Sequence, residues 1–173
     1  MKKLLLVLVL ICSGTLLACV FGIIHDQITY RISEEFYTHI RFTQSEIAPN
    51  ESWWGVTKVA VINTWKIGFI ISLILSCTGL IHRNEKRLVK HTVQSFLITS
   101  SIAATLTIMG FIIGKLNTPA LEKLPNTIID KSSFLLVQSV HNFTYIGGLI
   151  GMFVGIYWQF YKHKKHNITT PNY

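Results

Sequence analysis

Long apolar runs without Asp, Glu, Lys or Arg dominate this 173-residue chain. Three of them cover residues 4–24, 96–114 and 132–161, which is 21, 19 and 30 residues. A helix needs about 20 apolar residues to cross the hydrocarbon core of a bilayer. The pattern therefore predicts three transmembrane helices, at about 4–24, 96–114 and 134–161.

A fourth run, residues 59–81, is long enough to span a bilayer but begins with a more polar stretch, Asn63 to Lys66. The lysine stem can lie along the apolar layer while its ammonium group reaches the headgroups. We therefore predict one all-α membrane domain over residues 1–173, an integral bundle of four transmembrane helices. Residues 25–58 then form an outer segment.

The composition agrees, since half of the residues are hydrophobic and only 14% are charged. Nine of the 16 Lys and Arg residues lie in three short stretches, residues 2–3, 83–90 and 162–165, together with a single acid, Glu85. Short loops rich in Lys and Arg stay on the cytoplasmic side. This charge pattern predicts that both termini and the loop 82–91 are cytoplasmic, and it does not indicate nucleic-acid binding.

The first span has an alternative interpretation. Leu16-Leu17-Ala18-Cys19 after a short basic start is typical of a lipoprotein signal with Cys19 as the lipid acceptor. Cleavage there would leave three spans. The apolar run continues to Ile24, however, and is longer than the usual signal core, which favours an uncleaved helix.

Small residues recur every four positions on the predicted helices, most regularly at Gly147, Gly151 and Gly155. Helices in a bilayer associate through such small residues. This glycine ladder predicts a packing face. The pattern leaves open whether the neighbour is another helix of the chain, a second copy in a homo-oligomer or a membrane-protein partner.

The outer segment has apolar residues four apart, at Ile28, Ile32, Phe36 and Ile40, which predicts an amphipathic helix with one apolar stripe. Glu35 and His39 are also four apart. That spacing suits metal ligation and an ordinary surface hydrogen bond equally well.

His141 and Asn142 interrupt the fourth span, where polar groups are costly and usually face the bundle interior. We expect His25 and His141 to face a common outer pocket. The candidate metal ligands are His25, His141, His39 and Glu35, and the candidate supporting residues are Asp26, Arg31, Asn142 and Tyr145. The alternative is structural: one hydrogen bond from His141, with His25 at the headgroup boundary.

Two other sets of residues, the cysteines and the remaining histidines, give weaker indications of function. Cys12, Cys19 and Cys77 form no CxxC pair, which argues against a thiol oxidoreductase that passes electrons to quinone. His82, His91, His163 and His166 lie in or beside the basic stretches, where we expect solvated side chains near anionic lipid headgroups.

The stretch Phe21 to Tyr37, FGIIHDQITYRISEEFY, followed by RFTQ at 41–44, resembles a group of small bacterial membrane proteins. Those proteins carry a similar H-[DN]-Q-[IV]-[ST]-Y stretch after their first helix. Glu34 stands where the group would have proline. The resemblance implies a bacterial inner-membrane protein, and it does not indicate any enzymatic reaction.

The sequence thus supports two functions of different classes. The first is an interaction or assembly component of unassigned biochemical activity, whose partners are the lipid bilayer and a membrane protein. The second is a redox protein that binds a transition metal or a haem through its outer histidines. A transporter is a weaker third candidate, because four spans without internal repeats need oligomerisation to enclose a pathway.

Overall fold

The computed structural model describes residues 2–48, 53–116 and 124–169, and this part of the chain is helical with no strand. The elements are α1 (Lys2–Ile32), α2 (Glu34–Phe36), a π-helical turn (Tyr37–Arg41), α3 (Phe42–Gln44), α4 (Trp53–Gly79), α5 (Glu85–Leu116) and α6 (Lys131–Thr169). Four of these helices are long and apolar enough to cross a membrane. The predicted all-α class with four spans is confirmed, and the helices indicate a multi-pass membrane protein.

The long helices extend past the predicted spans. α1 continues to Ile32, inside the predicted outer segment. α5 begins at Glu85, because the Asn84 side chain accepts a hydrogen bond from the Lys86 backbone N–H (2.8 Å), as an N-cap residue does. The prediction of a loop from 82 to 91 is therefore wrong beyond residue 84.

The bundle consists of two antiparallel helix pairs, α1 with α4 and α5 with α6. Small residues form the contact within the first pair. Gly14 faces Ser72 and Gly22 faces Thr64, so backbone lies against short side chains on both helices. This is the close packing that helices use in lipid, where burial of apolar surface drives little association.

The glycine ladder of α6 packs against α5 of the same chain. A Cβ added at Gly147 would lie 2.8 Å from the Ala103 Cα, and one added at Gly151 would lie 2.7 Å from the Thr99 Cα. Gly155 faces Ser95 in the same way. The neighbour that the sequence left open is thus α5, and these glycines are not available to a second copy.

The three basic stretches meet at one end of the bundle. The Lys3 ammonium group donates to the His82 carbonyl oxygen (3.5 Å), and the rings of His82 and His163 lie 5.8 Å apart. An apolar cluster fills the bundle near this end, formed by Val7, Leu10, Ile11, Leu75, Leu88, Phe96 and Met152.

The outer segment folds over the opposite end of the bundle. Its residues share an apolar cluster with the starts of α4 and α6, formed by Phe36, Tyr37, Phe42, Val56, Val59, Ile128, Phe134 and Val137. Ile28 is 58% exposed, so the predicted four-residue stripe is not one continuous face. The chain turns at Ser33, so the buried residues after the turn, such as Phe36 and Tyr37, do not continue the helical face that Ile28 occupies on α1.

The packing of Gly151 gives a direct test. We expect Gly151→Ala to lower the free energy of unfolding by about 1–3 kcal/mol, because the new methyl group must push the two backbones apart. Gly148 is the matched control, since a Cβ there would meet only Ile71 Cδ1, at 3.8 Å. Gly148→Ala should leave stability unchanged or raise it by up to about 1 kcal/mol. Thermal unfolding in detergent measures both, and equal effects would contradict the packing.

Candidate functional site

The outer segment turns at Ser33, directly after α1. Ser33 has an extended backbone (φ −146°, ψ 100°), and its hydroxyl accepts a hydrogen bond from the Phe36 N–H, as an N-cap does. The following helix contains the π-helical turn Tyr37–Arg41, whose hydrogen bonds join residues five apart. Tyr37 and Arg41 are both buried, and this turn directs them toward the bundle.

His25, Asp26 and His141 lie together beneath this turn, and all three side chains are buried. The His25 Nδ1 is 3.0 Å from the Asp26 Oδ1, and the His141 Nε2 is 3.9 Å from the same oxygen. The two imidazole rings meet edge to face with centroids 4.6 Å apart. The structure therefore brings together the two histidines of α1 and α6 and places one carboxylate between them.

Arg41 binds His141 from the other side. Its Nη2 donates to the His141 Nδ1 (2.6 Å) and to the Tyr145 hydroxyl (3.0 Å). A guanidinium group can only donate, so Nδ1 is the acceptor and a neutral His141 carries its proton on Nε2. The imidazole therefore lies between a buried cation and a buried carboxylate. It accepts a hydrogen bond from Arg41, whereas Asp26 is 3.9 Å from Nε2 and the nearer partner of Nε2 is the Tyr37 hydroxyl.

Tyr37 joins the two ends of this network. Its hydroxyl donates to the Asp26 carbonyl oxygen (3.0 Å) and lies 3.3 Å from the His141 Nε2. The side chain is fully buried. Burial, and next the nearby charge of Asp26, raise the pKa of the Tyr37 phenol far above its ordinary value. The phenol therefore stays protonated and remains a donor at physiological pH.

His25 is held at both ring nitrogens. Besides the contact of Nδ1 with Asp26, the Nε2 lies 3.1 Å from the Thr144 hydroxyl on α6. Its ring is thereby fixed between α1 and α6. We call the set His25, Asp26, Tyr37, Arg41, His141 and Thr144 the outer polar network.

Glu35 and His39 lie outside this network. The Glu35 carboxylate accepts hydrogen bonds from the backbone N–H groups of Ile129 (2.9 Å) and Asp130 (2.8 Å), and these bonds lower the pKa of the carboxyl group. The exposed His39 donates from Nδ1 to the Glu35 carbonyl oxygen (3.0 Å). The predicted set of four metal ligands is therefore not assembled, and Glu35 instead ties the outer segment to the start of α6.

The supporting residues also divide into two groups. Asp26 and Tyr145 contact the histidines or Arg41, as described above. Arg31 and Asn142 are exposed and take no part in the network. Asn142 follows His141 directly, so the helix turns it roughly 100° away from the buried face of α6.

A cavity of about 120 Å³ lies between the two helix pairs, directly beneath the network. Residues of all four long helices line it, among them His25, Thr64, Phe96, Ser100 and Thr144. Its lining on α1 runs from Gly14 to Asp26, roughly 18 Å along the helix axis. The cavity is thus apolar along most of its length and polar at its outer end.

An apolar groove between α4 and α6 adjoins the cavity. The groove and the cavity share three lining residues, Ile67, Ile71 and Tyr145. The remaining lining of the groove is apolar and is formed by Ile70, Ile74, Leu149 and Met152. Because both helices are spans, this side of the cavity leads toward lipid.

The fit of a metal at the network is limited by Arg41. Three potential ligand atoms of His25, Asp26 and His141 lie within 4.8 Å of one another. A ligating nitrogen must carry no proton, yet Arg41 leaves the proton of His141 on Nε2. The guanidinium charge also opposes a second cation. A haem would need far more room, since a cavity of about 150 Å³ in another protein holds one benzene molecule.

No protein-family model, no curated protein and no solved structure matches this chain. The functional conclusion therefore depends on the geometry of the site itself.

Arg41 provides a test of the network. We expect Arg41→Met to lower the free energy of unfolding by roughly 2–5 kcal/mol, because it leaves the buried Nδ1 of His141 without its donor and removes the cation on the far side of His141 from Asp26. The matched control is Arg31→Met, since Arg31 is exposed, and its effect should stay within about 0.5 kcal/mol. Unfolding in detergent measures both variants. A mild effect of Arg41→Met would show that the hydrogen bond to His141 does not stabilise the fold.

Proposed function

We propose that this protein is a non-enzymatic binding component of a bacterial inner membrane, which holds the head of a lipid-soluble molecule between its two helix pairs. The observation that carries the proposal is the cavity lined by all four long helices, with four members of the outer polar network at its outer end: His25, Asp26, His141 and Thr144. An apolar cavity with a few convergent polar groups is the usual form of a small-molecule site.

The size and lining of the cavity define the ligand. A volume of about 120 Å³ is close to the space that one benzene-sized ring occupies. Thr64 and Ser100 are among its lining residues, and their hydroxyl groups can donate to or accept from oxygen atoms. The buried charges of Arg41 and Asp26 face partners within the network, so a neutral head suits the site better than an ion. The groove between α4 and α6 gives a path for an apolar tail.

The orientation in the membrane follows from charge and from the resemblance. The three basic stretches share one end of the bundle, and short basic segments stay cytoplasmic, so both termini lie inside. The outer polar network then lies toward the periplasmic side. The resemblance of residues 21–44 to small bacterial membrane proteins supports the inner membrane.

Cysteine labelling of intact cells tests this orientation. Starting from a variant that lacks Cys12, Cys19 and Cys77, single cysteines are placed at Asn84 and Thr43, which are both exposed. An impermeant thiol reagent should modify the residue-43 variant and spare the residue-84 variant until the cells are opened. Labelling of residue 84 in intact cells would reverse the topology.

A cavity-filling substitution tests the ligand. Ser100→Phe places an aromatic ring in the cavity, whereas Ser101→Phe places the same ring on the exposed side of α5. Organic extracts of the purified proteins are analysed by mass spectrometry. A lipid-soluble molecule should co-purify with the wild type and with the Ser101→Phe variant. Ser100→Phe should retain at least tenfold less of it. Equal lipid content in all three proteins would refute the proposal.

A metal or haem redox protein is the second candidate, favoured by the close approach of the ligand atoms of His25, Asp26 and His141. It requires His141 to release Arg41 before Nε2 can ligate. Stoichiometric metal or a haem absorption band that disappears in a His25→Asn/His141→Asn variant would establish this candidate in place of the first.

A further inference from the structure

A second group of histidines lies at the opposite, basic end of the bundle. His82 follows α4, His91 lies on α5 and His163 on α6. His82 and His91 are only 2% and 3% exposed, and His163 is half-buried. The expectation that these side chains are solvated is therefore wrong for His82 and His91. The expectation for His166 concerns a side chain outside the described part of the structure.

The three rings come from three separate parts of the chain and contact one another through His82. Its ring centroid is 4.8 Å from that of His91 and 5.8 Å from that of His163. Two imidazoles that ligate one zinc ion at about 2.0–2.1 Å have centroids roughly 5 Å apart. The observed separations lie close to that value.

Neighbouring side chains fix the tautomer of His91. Gln94 Oε1 accepts a hydrogen bond from the Trp158 indole (3.3 Å) and lies 3.0 Å from the His91 Nδ1. An indole only donates, which identifies Oε1 as the acceptor, so Nδ1–H of His91 must donate to it. A neutral His91 therefore carries its lone pair on Nε2. Ligating histidines are typically oriented in this way, with the other ring N–H bound to an oxygen.

We propose that His82, His91 and His163 form a binding site for a late first-row transition metal ion such as Zn²⁺, with water at the fourth position. Imidazole is a preferred ligand of zinc, copper and nickel, and three histidines with one open position form an exchangeable site. In the described part of the chain, three potential ligand atoms lie within 4.8 Å of one another at His25, Asp26 and His141, and not at the inner histidines. Metal binding by the inner histidines thus requires the half-buried His163 ring to rotate toward His91.

The positive charges around the inner group set its affinity. Lys3 contacts the His82 carbonyl oxygen, and the stretches 83–90 and 162–165 carry seven further Lys and Arg residues against one acid. These cations oppose a bound metal ion, so binding should be reversible and weaker than in a structural zinc site. The metal would link the end of α4 to α5 and α6.

Titration of tag-free, chelator-treated protein with Zn²⁺ in detergent tests the site, and calorimetry measures the binding. A parallel titration with Co²⁺ is measured by visible absorption. The wild type should bind one equivalent. His163→Ala should weaken binding at least tenfold, and its half-buried position makes loss of folding a minor concern. His91→Asn should do the same, because the Asn amide can still donate to Gln94 but has no atom at the ligating position.

The outer network supplies the control. His141→Asn should leave zinc binding unchanged if the inner histidines are the ligands. No zinc binding by the wild type, or equal affinity in the wild type, His163→Ala and His91→Asn, would overturn the proposal. So would loss of zinc in His141→Asn with retention in His163→Ala, which would assign the metal to the outer polar network. None of these outcomes depends on a ligand in the cavity, so this test and that of the proposed function can fail separately.

Discussion

Ionisable groups between apolar helices are costly unless each finds a partner, and here the hydrogen bond from Arg41 to His141 meets that requirement. Asp26 on α1 and Arg41 in the outer segment do not pair directly in the structure. His141 lies between them, with its acceptor nitrogen toward the guanidinium group and its N–H side toward Asp26 and Tyr37. This arrangement connects the outer segment, α1 and α6 beside the outer end of the cavity.

The same residue type has different chemistry at the two ends of the bundle because different neighbours fix its protons. At the outer end, a donor-only guanidinium group makes Nδ1 of His141 an acceptor and leaves Nε2 protonated. At the inner end, an amide oxygen takes the Nδ1 proton of His91 and leaves Nε2 free of a proton. Proximity of imidazoles alone would favour the outer group as a metal site, whereas the proton positions of His141 and His91 favour the inner one.

Hydrophobic runs and small-residue spacing predicted the helical class, the four spans and the packing role of Gly151, because both patterns follow from the solvent that surrounds a membrane helix. Arg41 and Tyr37 were missed because the search followed apolar residues at i and i+4 from α1 across the turn at Ser33. In the π-helical turn, Phe36 and Arg41, which are five apart, are both buried, and so are Tyr37 and Phe42. His82 and His91 were misjudged because their basic neighbours in sequence suggested solvent, whereas both side chains point between helices.

Arg41 lies in the outer segment and not in one of the four long helices, and this has a consequence for the order in which the chain folds. Asp26 enters the membrane with the first helix, but its neighbour His141 arrives only with the last. The outer segment packs against the start of α4, but Glu35 and Arg41 find their partners only at the start of α6 and along it. Until then Arg41 lacks the two acceptors on α6, His141 and Tyr145, that it binds in the folded chain. Docking of this segment therefore requires the last helix, and a chain that lacks α6 would leave Arg41 and Glu35 without the partners that hold the segment in place.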